Sequence, residues 1–113
     1  STLERYRAVQ AAKLYRDNLA IAALDYTINR TIAAQAADEL LNISGIDTSF
    51  VLYPQGDQTI VSARSIGEAN VQVILEPLGG GGNASTAGAQ IKNKSVKDTL
   101  DALLRSINNY FDN

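Results

Sequence analysis

Four consecutive glycines, Gly79, Gly80, Gly81 and Gly82, followed by Asn83, constrain this chain more than any other feature. They are half of its eight glycines, so they mark a place rather than a bias of composition. Glycine loses the most backbone entropy on ordering, and such a run weakens any helix or strand that includes it. It permits positive φ and a backbone that touches another group directly, with N–H donors facing outward. That arrangement cradles a phosphate without a cationic side chain. Small residues continue through Asn83, Ala84, Ser85, Thr86, Ala87 and Gly88, which keeps the neighbourhood open. The competing reading is a flexible surface loop.

On either side of the run the hydrophobic pattern alternates between helical and extended periods. Ser1 and Glu4 form a capping-box pattern, and Leu3, Tyr6, Val9 and Leu14 predict a helix to about residue 16. The apolar run from Asn18 to Leu24 suits a strand buried on both faces. Asn29 or Thr31 can cap a second helix whose stripe is Ile32, Ala33, Ala36, Ala37, Leu40 and Leu41, with Gly45 suited to its end. Residues 49–53 and 58–62 read as a hairpin around Pro54, Gln55, Gly56 and Asp57. Val71, Ile74, Leu75 and Leu78 fit a short helix disturbed by Pro77, although Val71, Val73 and Leu75 also alternate as a strand would. Thr86 to Ile91 should return to the sheet, and Ser95 caps a last helix with an apolar face of Val96, Leu100, Leu103, Leu104, Ile107 and Phe111. The expectation is one small α/β domain over residues 1–113, a mixed sheet of about four to five strands with a central hairpin, covered by about four helices.

Composition removes whole classes of chemistry. The chain of 113 residues has no cysteine and no histidine. Disulfides, thiolate metal sites and the serine–histidine or cysteine–histidine nucleophiles are therefore impossible within it. The carboxylates are scattered, and no catalytic apparatus is recognisable. A net charge of −2 gives no footprint for duplex nucleic acid. No apolar run is long enough to span a bilayer. The first residue is not methionine, and the chain reads as a piece of a larger protein, inactive by itself.

Upstream of the glycines stands a second motif, Ser62-Ala63-Arg64-Ser65, leading into Ile66-Gly67 and Asn70-Val71-Gln72. Together with the glycine run and Ala87-Gly88-Ala89, it resembles the C-terminal DHH-associated domain of the DHH phosphoesterases. The wording from Ile60 to Gly67, Asn70 to Gln72, and Lys13 to Ala22 is most similar to the GdpP/YybT type. Those are membrane-anchored bacterial phosphodiesterases that hydrolyse cyclic di-AMP. The resemblance implies a substrate-binding domain beside a catalytic DHH domain, which would hold two divalent metal ions, manganese being expected. It implies a cyclic dinucleotide or short oligonucleotide as ligand and a place on the cytoplasmic side of the bacterial membrane through the parent protein. This segment itself would carry no cofactor, touch neither membrane nor duplex DNA, and could form a homodimer. One departure stands out: the family places histidine after the glycines, where this chain has Asn83. Asparagine exchanges hydrogen bonds but carries no proton near neutral pH.

The candidate binding residues are Ser62, Arg64, Ser65, Gly79, Gly80, Gly81, Gly82, Asn83, Ala87 and Gly88. Arg64 offers a planar, permanently charged fork for phosphate, against the commoner fate of a surface salt bridge. Ser62 and Ser65 could donate to the same phosphate or cap a helix starting near Gly67. Asn83 could read a base edge or hold a left-handed turn. Tyr53 and Tyr26 read as half-buried core, Phe50 and Phe111 as core, and Lys92, Lys94 and Lys97 as a solvated face. Two other functions stay open. One is the substrate-binding domain of an oligoribonuclease or single-strand exonuclease. The other is a non-catalytic nucleotide-binding or interaction module.

Overall fold

The computed structural model describes residues 1–112. Helix α1 (Thr2–Gln10) is closed by the expected capping box of Ser1 and Glu4. Strands β1 (Lys13–Leu14) and β2 (Leu19–Ala23) follow, then α2 (Arg30–Leu40) and the hairpin of β3 (Thr48–Gln55) and β4 (Gln58–Ser65). Next come α3 (Val71–Leu75), a 3-10 turn (Glu76–Leu78), β5 (Gly81–Gly82), β6 (Thr86–Lys92) and α4 (Val96–Asp112). The six strands make one sheet in the order β1-β2-β3-β4-β6-β5. Among the described residues only β2 and β3 run parallel, and α2 is the crossover that parallel neighbours require.

The sheet separates two cores. On one face Ala20, Ala22, Val51, Tyr53 and Ile60 meet α1 and the alanine-rich stripe of α2. On the other, Leu19, Ile21, Phe50, Leu52, Val61 and Ala63 meet α3 and α4. The pleat assigns these residues, because successive side chains point to opposite faces. Ile32, Ala33, Ala36, Ala37 and Leu40 are the buried residues of α2, as its period predicts. Small alanines let that helix lie close on the strands, and the buried Ser49 Oγ donates to the Ala37 carbonyl at 2.7 Å.

The α/β class, the central hairpin and the four helices are as expected, and the sheet has one strand more than the upper estimate. The strands without a sequence signal are the two-residue β1 and β5. Helix α1 stops at Gln10 rather than near residue 16. Leu14 pairs with Ala20 across β1 and β2, and the chain reverses through Arg16 at φ 67. Helix α3 begins at Val71, not near Gly67, and its cap is Asn70, whose Oδ1 accepts from the Val73 amide. Phe111, expected in the core, is 40% exposed. It lies under the Arg16 guanidinium at 4.9 Å and edge-on to Tyr110. Arg16 also pairs with Asp112 at 2.9 Å, which fastens the end of α4 to the β1–β2 turn. Tyr53 is fully buried, whereas Tyr26 is exposed.

Candidate functional site

Helix α2 packs over β3 and β4 and leaves the same face of β6 and β5 uncovered. Between the helix and that uncovered strip lies a groove of about 600 Å³. Such a volume is in the range of small-molecule sites. Ile60, Ser62 and Arg64 project into it from alternate positions of β4, and Gly88 and Gln90 line it from β6. Register places Ser62 opposite Gly88 and Ile60 opposite Gln90, so the absent side chain at Gly88 lowers the floor beside Ser62. Gly79, Gly80 and Gly81 form one rim, and Arg30, Ala33 and Ala34 of α2 form the other.

Seven of the ten sequence candidates meet in this groove: Ser62, Arg64, Gly79, Gly80, Gly81, Ala87 and Gly88. Ser65, Gly82 and Asn83 do not line it. Ser65 is one residue beyond Arg64 and therefore faces the opposite side of the sheet, where it is buried and its Oγ accepts from the Gly67 amide. Gly82 and Asn83 belong to the tip of the β5–β6 hairpin. Asn83 Oδ1 accepts from the Ser85 amide at 3.0 Å, the Ser85 hydroxyl at 3.1 Å and the Thr86 amide at 2.9 Å. This is a side chain standing in for a turn of backbone, a role asparagine fills well. It does so without the left-handed conformation, since the described non-glycine residues with positive φ are Arg16 and Asn93.

The glycine amides are less available than the sequence suggests. The Gly79 N–H donates to Glu76 O and the Gly80 N–H to Leu75 O, both at 2.9 Å, closing the 3-10 turn with Gly79 at φ 84. The Asn83 N–H donates to Thr86 O at 2.7 Å. In the alternating ladder this makes Gly82–Ala87 a non-hydrogen-bonded pair, so the Gly82 amide projects from the sheet edge. At Gly80 and Gly82 the missing Cβ is needed for close approach: a methyl at Gly80 would lie 2.6 Å from the Gly88 carbonyl, and one at Gly82 would overlap Thr86 O.

Arg64 makes the ion pair that was its competing reading, with part of the guanidinium left over. Its Nε pairs with Asp38 Oδ1 at 3.0 Å, and Nη1 donates to the Ala63 carbonyl at 2.8 Å. Nη2 has no partner among the described residues. Held at two points, the guanidinium is oriented in the groove with one edge open. Arg30 and Gln90 were not singled out from sequence. A cation at the first helical position opposes the helix dipole, and for Arg30 that was the available signal. Burial pushes the Tyr53 phenol up, and the nearby Arg30 charge partly opposes this. Among the described residues no cluster of three or more carboxylates could hold a metal ion.

Comparison with known proteins matches the DHHA1 domain family over residues 16–113. The chain is 40% identical over 117 residues to the cyclic-di-AMP phosphodiesterase GdpP of Bacillus subtilis, covering 99% of this chain and 18% of that protein. It is 41% identical over 111 residues to the cyclic-di-AMP phosphodiesterase PdeA of Listeria monocytogenes, covering 96% of this chain and 17% of that protein. It thus spans less than a fifth of these relatives. An exopolyphosphatase-related protein of Bacteroides fragilis has the same fold, with a TM-score of 0.83 at 16% identity over 96% of this chain and 34% of that one. The C-Ala domain of Aquifex aeolicus alanyl-tRNA synthetase shares it at 0.64 and 17% identity, over 84% of this chain and 96% of that domain. With the motif order, the fold and the match over residues 16–113 in agreement, the chain belongs to the DHHA1 domain family.

Proposed function

We propose that this domain holds the nucleotide substrate of a phosphodiesterase, cyclic di-AMP or its linear product, while a separate metal-binding DHH domain cleaves the bond. The observation that carries the reading is the groove in which Ser62 and the open edge of Arg64 meet a glycine-lined rim on an uncovered sheet face. The naming of the relatives as cyclic-di-AMP phosphodiesterases supports the choice of ligand. Arg64 and Ser62 supply charge-assisted and neutral donors for a non-scissile phosphate. The flat floor at Gly88 admits a ring. The contribution to rate is positional: a substrate fixed against this groove presents its reacting phosphodiester to metal-activated water in the neighbouring domain. That domain would supply both metal ions, since histidine is absent here. On this reading the parent is membrane-tethered and the domain faces the cytoplasm; no described helix is long and apolar enough to cross a membrane.

A second reading, a non-catalytic module with a structural glycine loop, is favoured by the engagement of the Gly79, Gly80 and Asn83 amides within the fold. Titrating the ¹⁵N-labelled domain with cyclic di-AMP and with linear pApA separates the two. The proposed function expects saturable shifts at Ser62, Gly80, Gly81 and Gly88 that vanish in Arg64→Ala. Absence of shifts at millimolar ligand in the domain and in the DHH–DHHA1 pair would sink it. Preference for longer oligonucleotides would redirect it to an exonuclease-type substrate.

A further inference from the structure

The groove carries two arginines, and they differ in one respect. Arg64 is neutralised by Asp38, whereas Arg30 has no carboxylate within ion-pair distance among the described residues. The unpaired positive charge of the groove is therefore at Arg30. It stands at the first residue of α2, where the helix's own positive end disfavours a cation. A charge placed against a local preference marks a position whose reason lies elsewhere. Asp38, which holds Arg64, is eight residues further along the same helix, about 12 Å at 1.5 Å per residue. Both arginines line the groove together with Ser62 and the bare backbone of Gly88, and their anchor points on α2 are separated by that rise.

Resting on the proposed function, we infer that Arg30 is the specificity-determining residue that selects a dinucleotide over a mononucleotide, by binding a second phosphate while Arg64 binds the first. Arg64, oriented by two hydrogen bonds and with Ser62 two residues before it on the same strand face, is the preorganised site, so a ligand with one phosphate settles there. A ligand with two, spaced by a nucleoside, also reaches the unpaired cation. Arg30 and Tyr53 both line the groove.

The test is calorimetric titration of wild type, Arg30→Ala, Arg30→Lys and Arg64→Ala with pApA and with AMP. Arg30 is exposed, so both Arg30 variants are expected to keep the wild-type melting temperature and amide spectrum, and the amide spectrum of Arg64→Ala checks that it remains folded. A solvent-facing charge-assisted contact predicts that Arg30→Ala weakens pApA binding about five- to tenfold and leaves AMP within twofold. Arg30→Lys should recover most of the loss, and Arg64→Ala should weaken both ligands. If Arg30→Ala weakens both equally or neither, while Arg64→Ala weakens both, Arg30 is not the selector although the groove is the site. If Arg64→Ala weakens neither, the proposed function fails and this inference with it.

Discussion

Replacing the four glycines one at a time by alanine should give four different outcomes. At Gly81 an added Cβ meets nothing within 4 Å, and φ is ordinary. Alanine there only restricts the unfolded chain, a gain of about 0.4–1 kcal/mol. At Gly80 the Cβ would sit 2.6 Å from the Gly88 carbonyl, 2.8 Å from Ala89 Cβ and 3.0 Å from Leu75 Cβ. Two of these neighbours belong to β6 and one to α3, so relief requires prying the hairpin from the helix. Overpacking of this kind costs about 1–3 kcal/mol, and subtracting the unfolded-state gain leaves about 1.5 kcal/mol. For a domain of this size about 4 °C of Tm corresponds to 1 kcal/mol, so Gly80→Ala should melt about 6 °C below wild type. Gly79→Ala has room but must hold φ at 84, and a fall of about 2–4 °C follows from the left-handed penalty. Gly82→Ala meets both obstacles, φ 146 and overlap with Thr86 O, and should be the most damaging. Thermal denaturation by circular dichroism, with an amide spectrum for each variant, reads the series. Equal losses at Gly80 and Gly81 would refute the reasoning, because a loop free of close contacts treats the two alike.

Asn83→Ala removes the acceptor of three hydrogen bonds at the hairpin tip and should cost about 1–2 kcal/mol in chemical denaturation, whereas Asn83→Asp, which keeps an acceptor, should cost less than half of that. Ser49→Ala severs the buried link between β3 and α2 and should destabilise by about 1 kcal/mol; an unchanged midpoint would mean the helix is held by packing alone. Hydrogen bonding to Arg16 lowers the Asp112 pKa from its usual 3.8. A depressed carboxylate stabilises above its unfolded pKa and is lost as pH falls through the folded one, so the last turn of α4 should loosen below pH 3.8 in carbon chemical shifts. Asp112→Asn should abolish that pH dependence. The buried Tyr53 phenol, raised above 10.0, should ionise late in an ultraviolet titration, and Tyr53→Phe should remove that late component.

Where local pattern and tertiary demand agree, the elements were legible in the sequence. The stripes of α2 and α4, the hairpin around Gly56, the Ser1–Glu4 capping box and the Ser95 cap are periodic or local signals, and the structure follows them. The short strands were not legible, because their existence depends on a partner. Lys13–Leu14 continues an apparent helical pattern until pairing with β2 claims it. Gly81–Gly82 has no side chains to signal extension and is a strand only because β6 lies beside it. The candidate site divides in the same way. Residue chemistry and motif order nominated Ser62, Arg64 and the glycines, and seven candidates meet in one groove. That Ser65 turns to the other face follows from the pleat once Ser62–Ser65 is known to be strand throughout. The pairing of Arg64 with Asp38 and the unpaired charge of Arg30 could not be read locally. They arise where α2, crossing between parallel strands, brings residues 26 positions apart within 3.0 Å. Sequence by itself determined which chemistry this chain can offer, because composition excludes histidine and cysteine outright. Tertiary structure decided which donors remain open to a ligand, because hydrogen bonds made in closing the fold are no longer available to bind one.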